Sequence, residues 1–319
     1  MTYASDQRLQ AAVWKRQTPT LCDAARARAP YRGKAGKAYD FCLPVEFSEF
    51  SLLPEVRETA LGLFAKLGIS WHAGTAGKPS NHLLSSQVQC VNALGQMMSA
   101  PDRLIKAFGP IVGPMQTVEQ IESGRYLTFE YIGPKDYFHE APNGQRIRGA
   151  QCTSVDAAFA FKNAKGEREL ALVEWKYTER YSSHKAHIAS DEVRRTRYEP
   201  RLLAAAGPVR SDLLNFAHLL DEPLYQLVRQ QLLAHAIETD PDIGFSRVRV
   251  LHVLPSANTA YQRSLRRAEQ KALGATVSEV WTKLQLLPGR FRSIDSSIFL
   301  DPEITSAEYV HRYGLMASS

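Results

Sequence analysis

With 319 residues, 44% of them apolar, the chain has material for a sizeable core, which excludes disorder throughout. No apolar run approaches the roughly 20 residues of a membrane span, and the opening stretch MTYASDQRLQ lacks a secretory apolar segment, so a cytoplasmic location is expected. The net charge of +6 is concentrated before residue 40, where Arg8, Lys15, Arg16, Arg26, Arg28, Arg32, Lys34 and Lys37 stand against only Asp6 and Asp23 and account for all of it.

Residues 1–44 mix Ala, Arg, Gly and Pro without sustained periodicity. They are expected to form a basic N-terminal arm with one short helix near Gln7 to Arg16, and residues 45–319 a single domain. Such an arm suits phosphate-backbone contact, or else it is a solvated tail. The cysteines Cys22, Cys42, Cys90 and Cys152 lie far apart, with no Cys-x-x-Cys pair and no His at zinc-finger spacing, which points to reduced thiols.

From Leu53 to Leu67 the residues Val56, Ala60, Leu63, Phe64 and Leu67 recur at helical spacing, and Gly68 ends the run. The loop HAGTAGKPS follows. Its Gly74-Thr-Ala-Gly77-Lys78 has the wrong spacing for a phosphate loop, and Pro79 stands where Ser or Thr is required. Ser85-Ser86 can cap a helix over about Gln87 to Met98, with Pro101 beyond its end and a turn-rich region from Gly109 to Pro114.

Three strands are predicted next: Arg125 to Ile132, Thr153 to Phe161 and Leu170 to Tyr177, the last two joined by the hairpin turn KNAKGERE. Pro223 to Thr239 is the clearest helix, and Arg247 to Leu254 a further strand. A helix from about Thr259 to Leu273 carries Arg263, Arg266, Arg267 and Lys271, and the region after Val280 reads as strand and helix additions.

Asp156 and Glu174 are each embedded among apolar strand residues, where an unpaired carboxylate costs several kcal/mol or is driven neutral. Adjacent strands of a hairpin bring two such carboxylates onto one face, a hard-oxygen site suited to Mg²⁺. Lys176, two residues after Glu174, shares that face because strand side chains alternate. Two anions, a cation and room for a hydrated metal are the parts that phosphodiester hydrolysis needs.

On these residues the chain resembles the PD-(D/E)XK nuclease superfamily. The resemblance implies an α/β fold with a restriction-endonuclease-like core: helix, three-stranded meander, helix, strand, as a mixed central sheet flanked by helices over about residues 85–255. It implies that Asp156 and Glu174 hold Mg²⁺, with Mn²⁺ able to substitute, and that the backbone carbonyl of Trp175 is a further ligand. Lys176 would position or deprotonate the attacking water, and Gln226, Arg229 and Gln230 on the following helix would meet substrate or site. The implied products are a 5′-phosphate and a 3′-hydroxyl.

Many members carry an acid on the first core helix, and Gln87 to Met98 has none. Glu130 is favoured as the third acid, with Glu119 and Glu122 as alternatives. The expected partner is nucleic acid, DNA before RNA, with no membrane and with a homodimer as one route to double-strand cleavage. The rival readings are a non-catalytic nucleic-acid-binding protein on a nuclease-like fold, an RNA-directed nuclease, and a hydrolase or transferase of another class in which Lys176 is merely salt-bridged to Asp156.

After the motif, Arg194, Arg195, Arg197 and Arg201 can meet phosphates and Tyr177, Tyr181 and Tyr198 can stack or pack, with a solvated face as the alternative. Glu179 is a candidate to hold Lys176 or a metal water. His184 and His187 find no further zinc ligands nearby, while His218, His235 and His252 lie in apolar segments as core residues.

Overall fold

The computed structural model describes residues 2–34, 36–141, 144–149, 152–181 and 188–314. The chain opens with α1 (Tyr3–Gln17), the single turn α2 (Asp23–Arg26) and an antiparallel ribbon of β1 (Ala29–Pro30) and β2 (Ala38–Tyr39). Three helices follow, α3 (Pro54–Leu67), α4 (Ser86–Leu94) and α5 (Pro101–Val112). Then come β3 (Met115–Glu119), β4 (Thr128–Tyr131), β5 (Val155–Asn163), β6 (Arg168–Trp175), α6 (Ile188–Leu202), α7 (Leu224–Thr239) and β7 (Arg247–Leu254). The chain closes with α8 (Thr259–Gln262), α9 (Ala268–Leu273), α10 (Val277–Leu284), β8 (Phe291–Asp295) and α11 (Ala307–Tyr313).

The protein is a mixed α/β fold around one six-stranded sheet. Its order is β3-β5-β6-β7-β8, with β4 paired to β5 beside β3. β3 and β4 are both antiparallel to β5, β5 and β6 form an antiparallel hairpin, and β7 and β8 add parallel strands. The hairpin turn is set by Asn163, whose side chain accepts from the Lys165 N–H at 2.9 Å, and by Gly166, whose φ of 77° suits a residue without Cβ.

Helices cover both faces, so β5 and β6 read as nearly continuous apolar runs. Ala157, Phe159, Phe161, Ala171, Val173 and Trp175 face the core shared with α1, α3, α4, α5 and α11. Ala158, Ala160, Leu170 and Leu172 face the core shared with α7 and α10.

Local signals explain the helix bounds. Ser85 caps α4 by accepting from Val88, Gly68 ends α3 in the left-handed region at φ 62°, and Pro101 is less a terminator of α4 than the first residue of α5. The stretch expected as turn-rich near Gly109 is therefore helical to Val112. The long basic helix expected from Thr259 is two short ones, interrupted at residues 263–267.

The first residues differ most from expectation. The helix near Gln7 to Arg16 runs from Tyr3 to Gln17 and is packed, with Trp14 1% exposed and its indole donating to Glu308 at 2.7 Å. Lys15 is 1% exposed, and its ammonium is spent on the carbonyls of Ala27 and Cys42 at 2.7 and 2.6 Å. Arg26 and Arg28 pair with Asp23 and Asp40. Part of the positive charge thus serves the fold, Lys15 most plainly, because its ammonium finds fixed acceptors.

The last sixty residues are likewise integral. β8 extends the sheet, and Phe299, Tyr309 and Tyr313 enter the first core. All four cysteines are free thiols. No described helix is long and apolar enough to cross a membrane.

Candidate active site

Register builds the site. β5 and β6 pair Ala157 with Val173 and Ala158 with Leu172, and continuing that register sets Asp156 opposite Glu174. β4 pairs Phe129 with Ala157 and Tyr131 with Val155, which sets Glu130 opposite Asp156 on its other side. On the far side Glu174 pairs with His252 of β7. Glu130, Asp156, Glu174 and His252 therefore form one row across four strands.

Alternation directs Glu174 and Lys176 to the face of α7, opposite Trp175. Lys176 Nζ lies 2.5 Å from Glu174 Oε1 and donates to Gln226 Oε1 at 2.7 Å. Gln230, one turn further along α7, donates to Glu174 Oε2. Asp156 Oδ2 accepts the Trp175 N–H at 2.7 Å, tying the two strands together at the motif. The Trp175 indole, on the other face, donates to Gln89 of α4 at 2.9 Å.

Glu130 occupies the row but turns elsewhere. Its φ of 46° departs from the extended conformation, an uncommon state for a residue with a Cβ, and its carboxylate meets α4. Gln87 Nε2 donates to Glu130 Oε1 at 2.7 Å and Ser154 Oγ to Oε2 at 3.0 Å. Gln87 is itself fixed, because its Oε1 accepts the His72 N–H at 2.8 Å. Gly149, at φ 73°, passes close by: a Cβ there would stand 3.5 Å from the Glu130 carboxyl group.

The alternatives for a third acid are occupied away from the row. Glu119 pairs with Arg168 at 2.8 Å, and Glu122 with Arg148 at 2.6 Å.

Charge in this row is unbalanced. Burial pushes Asp156 well above the usual carboxylate range, reinforced by Glu174 and Glu130 and opposed by Lys176. Burial also raises Glu130, against the hydrogen bonds from Gln87 and Ser154. Burial is the largest single influence on Lys176 and disfavours its ammonium, but Glu174 acting together with Tyr181, Tyr261 and Glu179 outweighs it, and the lysine is held protonated. The buried carboxyl groups of Glu130 and Glu174 and the half-buried one of Asp156, against one ammonium, make a place where an added cation is favoured. Among the described residues, no group of three or more His, Cys, Asp or Glu side chains stands ready to hold a metal ion. A cation here would rest on two carboxylates with backbone, water or phosphate oxygens, a donor set that Mg²⁺ accepts.

Several sequence candidates have other roles. Glu179 does not reach Lys176, whose second acceptor is Gln226; it accepts the Tyr177 N–H at 2.6 Å. Arg229 donates to Thr153 Oγ1 at 3.2 Å and so braces the approach to β5. Arg194 and Arg195 pair with Asp191 and Glu199, Tyr177 is buried with its hydroxyl on Gln7, and Tyr198 is buried with its hydroxyl on Glu140. Arg267 pairs with Asp221. His252 is fully buried against Tyr261, its Nε2 3.0 Å from the hydroxyl, whereas His218 and His235 are only half-buried. His184 and His187 lie outside the described residues. Sequence reasoning missed Gln87, Gln89 and Ser154, since a lone amide or hydroxyl carries no signal until the fold sets it beside a buried carboxylate or indole.

Comparison with known proteins yields one family, described as Restriction Endonuclease associating with ARP, which matches residues 8–314. Neither a curated protein nor a solved structure matches the chain.

Proposed function

The chain belongs to the family described as Restriction Endonuclease associating with ARP, and from that premise we propose that it is a metal-dependent nuclease that hydrolyses phosphodiester bonds of DNA. The carrying observation is the juxtaposition of Asp156 and Glu174 across β5 and β6 with Lys176 Nζ 2.5 Å from Glu174. The element order supports a restriction-endonuclease-like core: helix α4, the antiparallel strands β4, β5 and β6, helix α7, then β7 parallel to β6.

In this reading Asp156, Glu174 and the Trp175 carbonyl hold the metal. A divalent cation, when bound, acidifies water and offsets charge on the phosphate. Gln230 and the Trp175 N–H orient the two carboxylates. The Lys176 ammonium, carried between Glu174 and Gln226, acts as a donor that orients the attacking water and stabilises charge on the phosphoryl oxygens. Glu130, bonded by Gln87 and Ser154, shapes the field of the site from one strand away.

The test is incubation of wild type, Asp156→Asn and Lys176→Ala with linear and circular DNA in Mg²⁺, Mn²⁺ or EDTA. Cleavage that needs the metal and disappears in both variants supports the reading. Intact DNA under every condition, with gel shifts retained, replaces it with a non-catalytic DNA-binding protein.

A further inference from the structure

Beside the carboxylate row lies a cleft of about 680 Å³, within the range of small-molecule sites. One side is aromatic: Tyr31, Tyr39, Phe41 and His82 line it, with Tyr39 and Phe41 centroids 5.0 Å apart and His82 edge-on to Phe41 at 5.2 Å and to Tyr31 at 5.4 Å. Cations overlie that wall. Arg8 stands 5.5 Å from the Phe41 centroid and Lys37 5.9 Å from that of Tyr39. Both side chains are exposed at the cleft, unlike Lys15, which is buried with its ammonium on two backbone carbonyls.

The cleft is joined to the site at two places. Thr178 and Glu179 line it, and three residues of chain reach at most about 11 Å, so it begins close to Lys176. Ser85 and Ser86 line it too, and the next residue, Gln87, holds Glu130. Burial and the nearby Arg8 lower the His82 pKa to about 4, which leaves the imidazole an uncharged ring at neutral pH.

Flat rings and exposed cations in one concavity suit a ligand with a π face and a negative charge. Stacked base pairs bury those faces against one another, whereas an unpaired nucleotide offers its base to aromatic side chains. We infer that this cleft seats an unpaired nucleotide of a DNA strand, its base against the Tyr31, Tyr39, Phe41 and His82 wall and its phosphate on Arg8 and Lys37. This deepens the nuclease reading and rests on it for the identity of the ligand as DNA: the preferred substrate carries a single-stranded or extruded nucleotide next to the bond that is cut.

The test is fluorescence anisotropy in EDTA, where no hydrolysis occurs, with labelled oligothymidylate and a blunt, fully paired duplex as probes. Tyr39→Ala and Arg8→Ala should each weaken oligothymidylate binding roughly tenfold, with duplex binding changed less than about twofold and Tyr39→Phe retaining wild-type affinity. Thermal unfolding checks the variants; if Tyr39→Ala melts early, the exposed Arg8→Ala and Lys37→Ala decide. Unchanged oligothymidylate affinity, or equal losses on both probes, overturns the inference. If wild type cleaves DNA in Mg²⁺ while the cleft variants bind as wild type does, the inference falls and the nuclease reading stands. If binding depends on the cleft but no divalent metal yields cleavage, the nuclease reading falls and the cleft remains a nucleotide site.

Discussion

Gln87 Nε2 lies 2.7 Å from Oε1 of Glu130, and this contact couples α4 to the carboxylate row that runs across β4, β5 and β6. Glu130 has desolvation against it and only Gln87 and Ser154 as side-chain donors. Gln87→Leu leaves the buried carboxyl with a single donor and should cost about 1–3 kcal/mol by urea unfolding, because the bond is to an acidic group. DNA cleavage should fall roughly tenfold. Full cleavage with the expected loss of stability would reduce Gln87 to a structural role.

Lys176 and Glu174 test pairing against catalysis. Their side chains are 7% and 2% exposed, so Lys176→Met strands a buried carboxylate and should cost about 3–5 kcal/mol. Adding Glu174→Gln should recover most of that stability, since neither charge then remains. Cleavage should stay down roughly a hundredfold or more in both variants. Activity that returns in the double variant would exclude Lys176 and Glu174 from the chemistry.

The excess negative charge of the row predicts a crossover. In EDTA, Asp156→Asn should melt above wild type, because it removes a charge penalised by burial, Glu174 and Glu130 while keeping an acceptor for the Trp175 N–H. In saturating Mg²⁺ the order should reverse. Wild type gains about 2.7 kcal/mol at a hundredfold excess over Kd, and the variant gains little. Scanning calorimetry in the two buffers reads the sign directly, and equal shifts in both proteins would place the cation elsewhere.

Lys15 separates structural from DNA-binding charge in the first helix. With its ammonium on the carbonyls of Ala27 and Cys42, Lys15→Met should lower stability by about 2 kcal/mol or more. The salt dependence of DNA binding should not change in slope, since no phosphate contact is lost. A shallower slope would return Lys15 to the interface.

His82 sets an acid limb. Its pKa in the folded protein, about 4, lies below the ordinary 6.5, so the neutral ring contributes stability that is complete above pH 6.5 and is lost as pH falls toward 4. His82→Gln, which keeps an acceptor for the Leu84 N–H, should flatten the unfolding midpoint over that window. An unchanged slope would assign acid sensitivity to other groups.

The sequence by itself determined the chemistry-bearing strands. Apolar runs that contain Asp156 and Glu174 have few ways to fold, and the period of two puts Glu174 and Lys176 on one face whatever surrounds them. The strand from Arg247 to Leu254 and the helix ending at Thr239 were legible for the same reason, a local periodicity that burial enforces. Composition spoke less well for residues 1–44, because Lys15 looks like any solvated lysine until two carbonyls from distant residues close on it. Only the tertiary structure could decide that Glu130 shares the row yet is bonded by Gln87, that Glu119 and Glu122 are spent on arginines, and that Tyr31, Tyr39 and Phe41 meet His82 around one cleft. These are contacts between elements remote in the chain. Local sequence constrains backbone period and burial, whereas the partner of each polar side chain is fixed by register and packing.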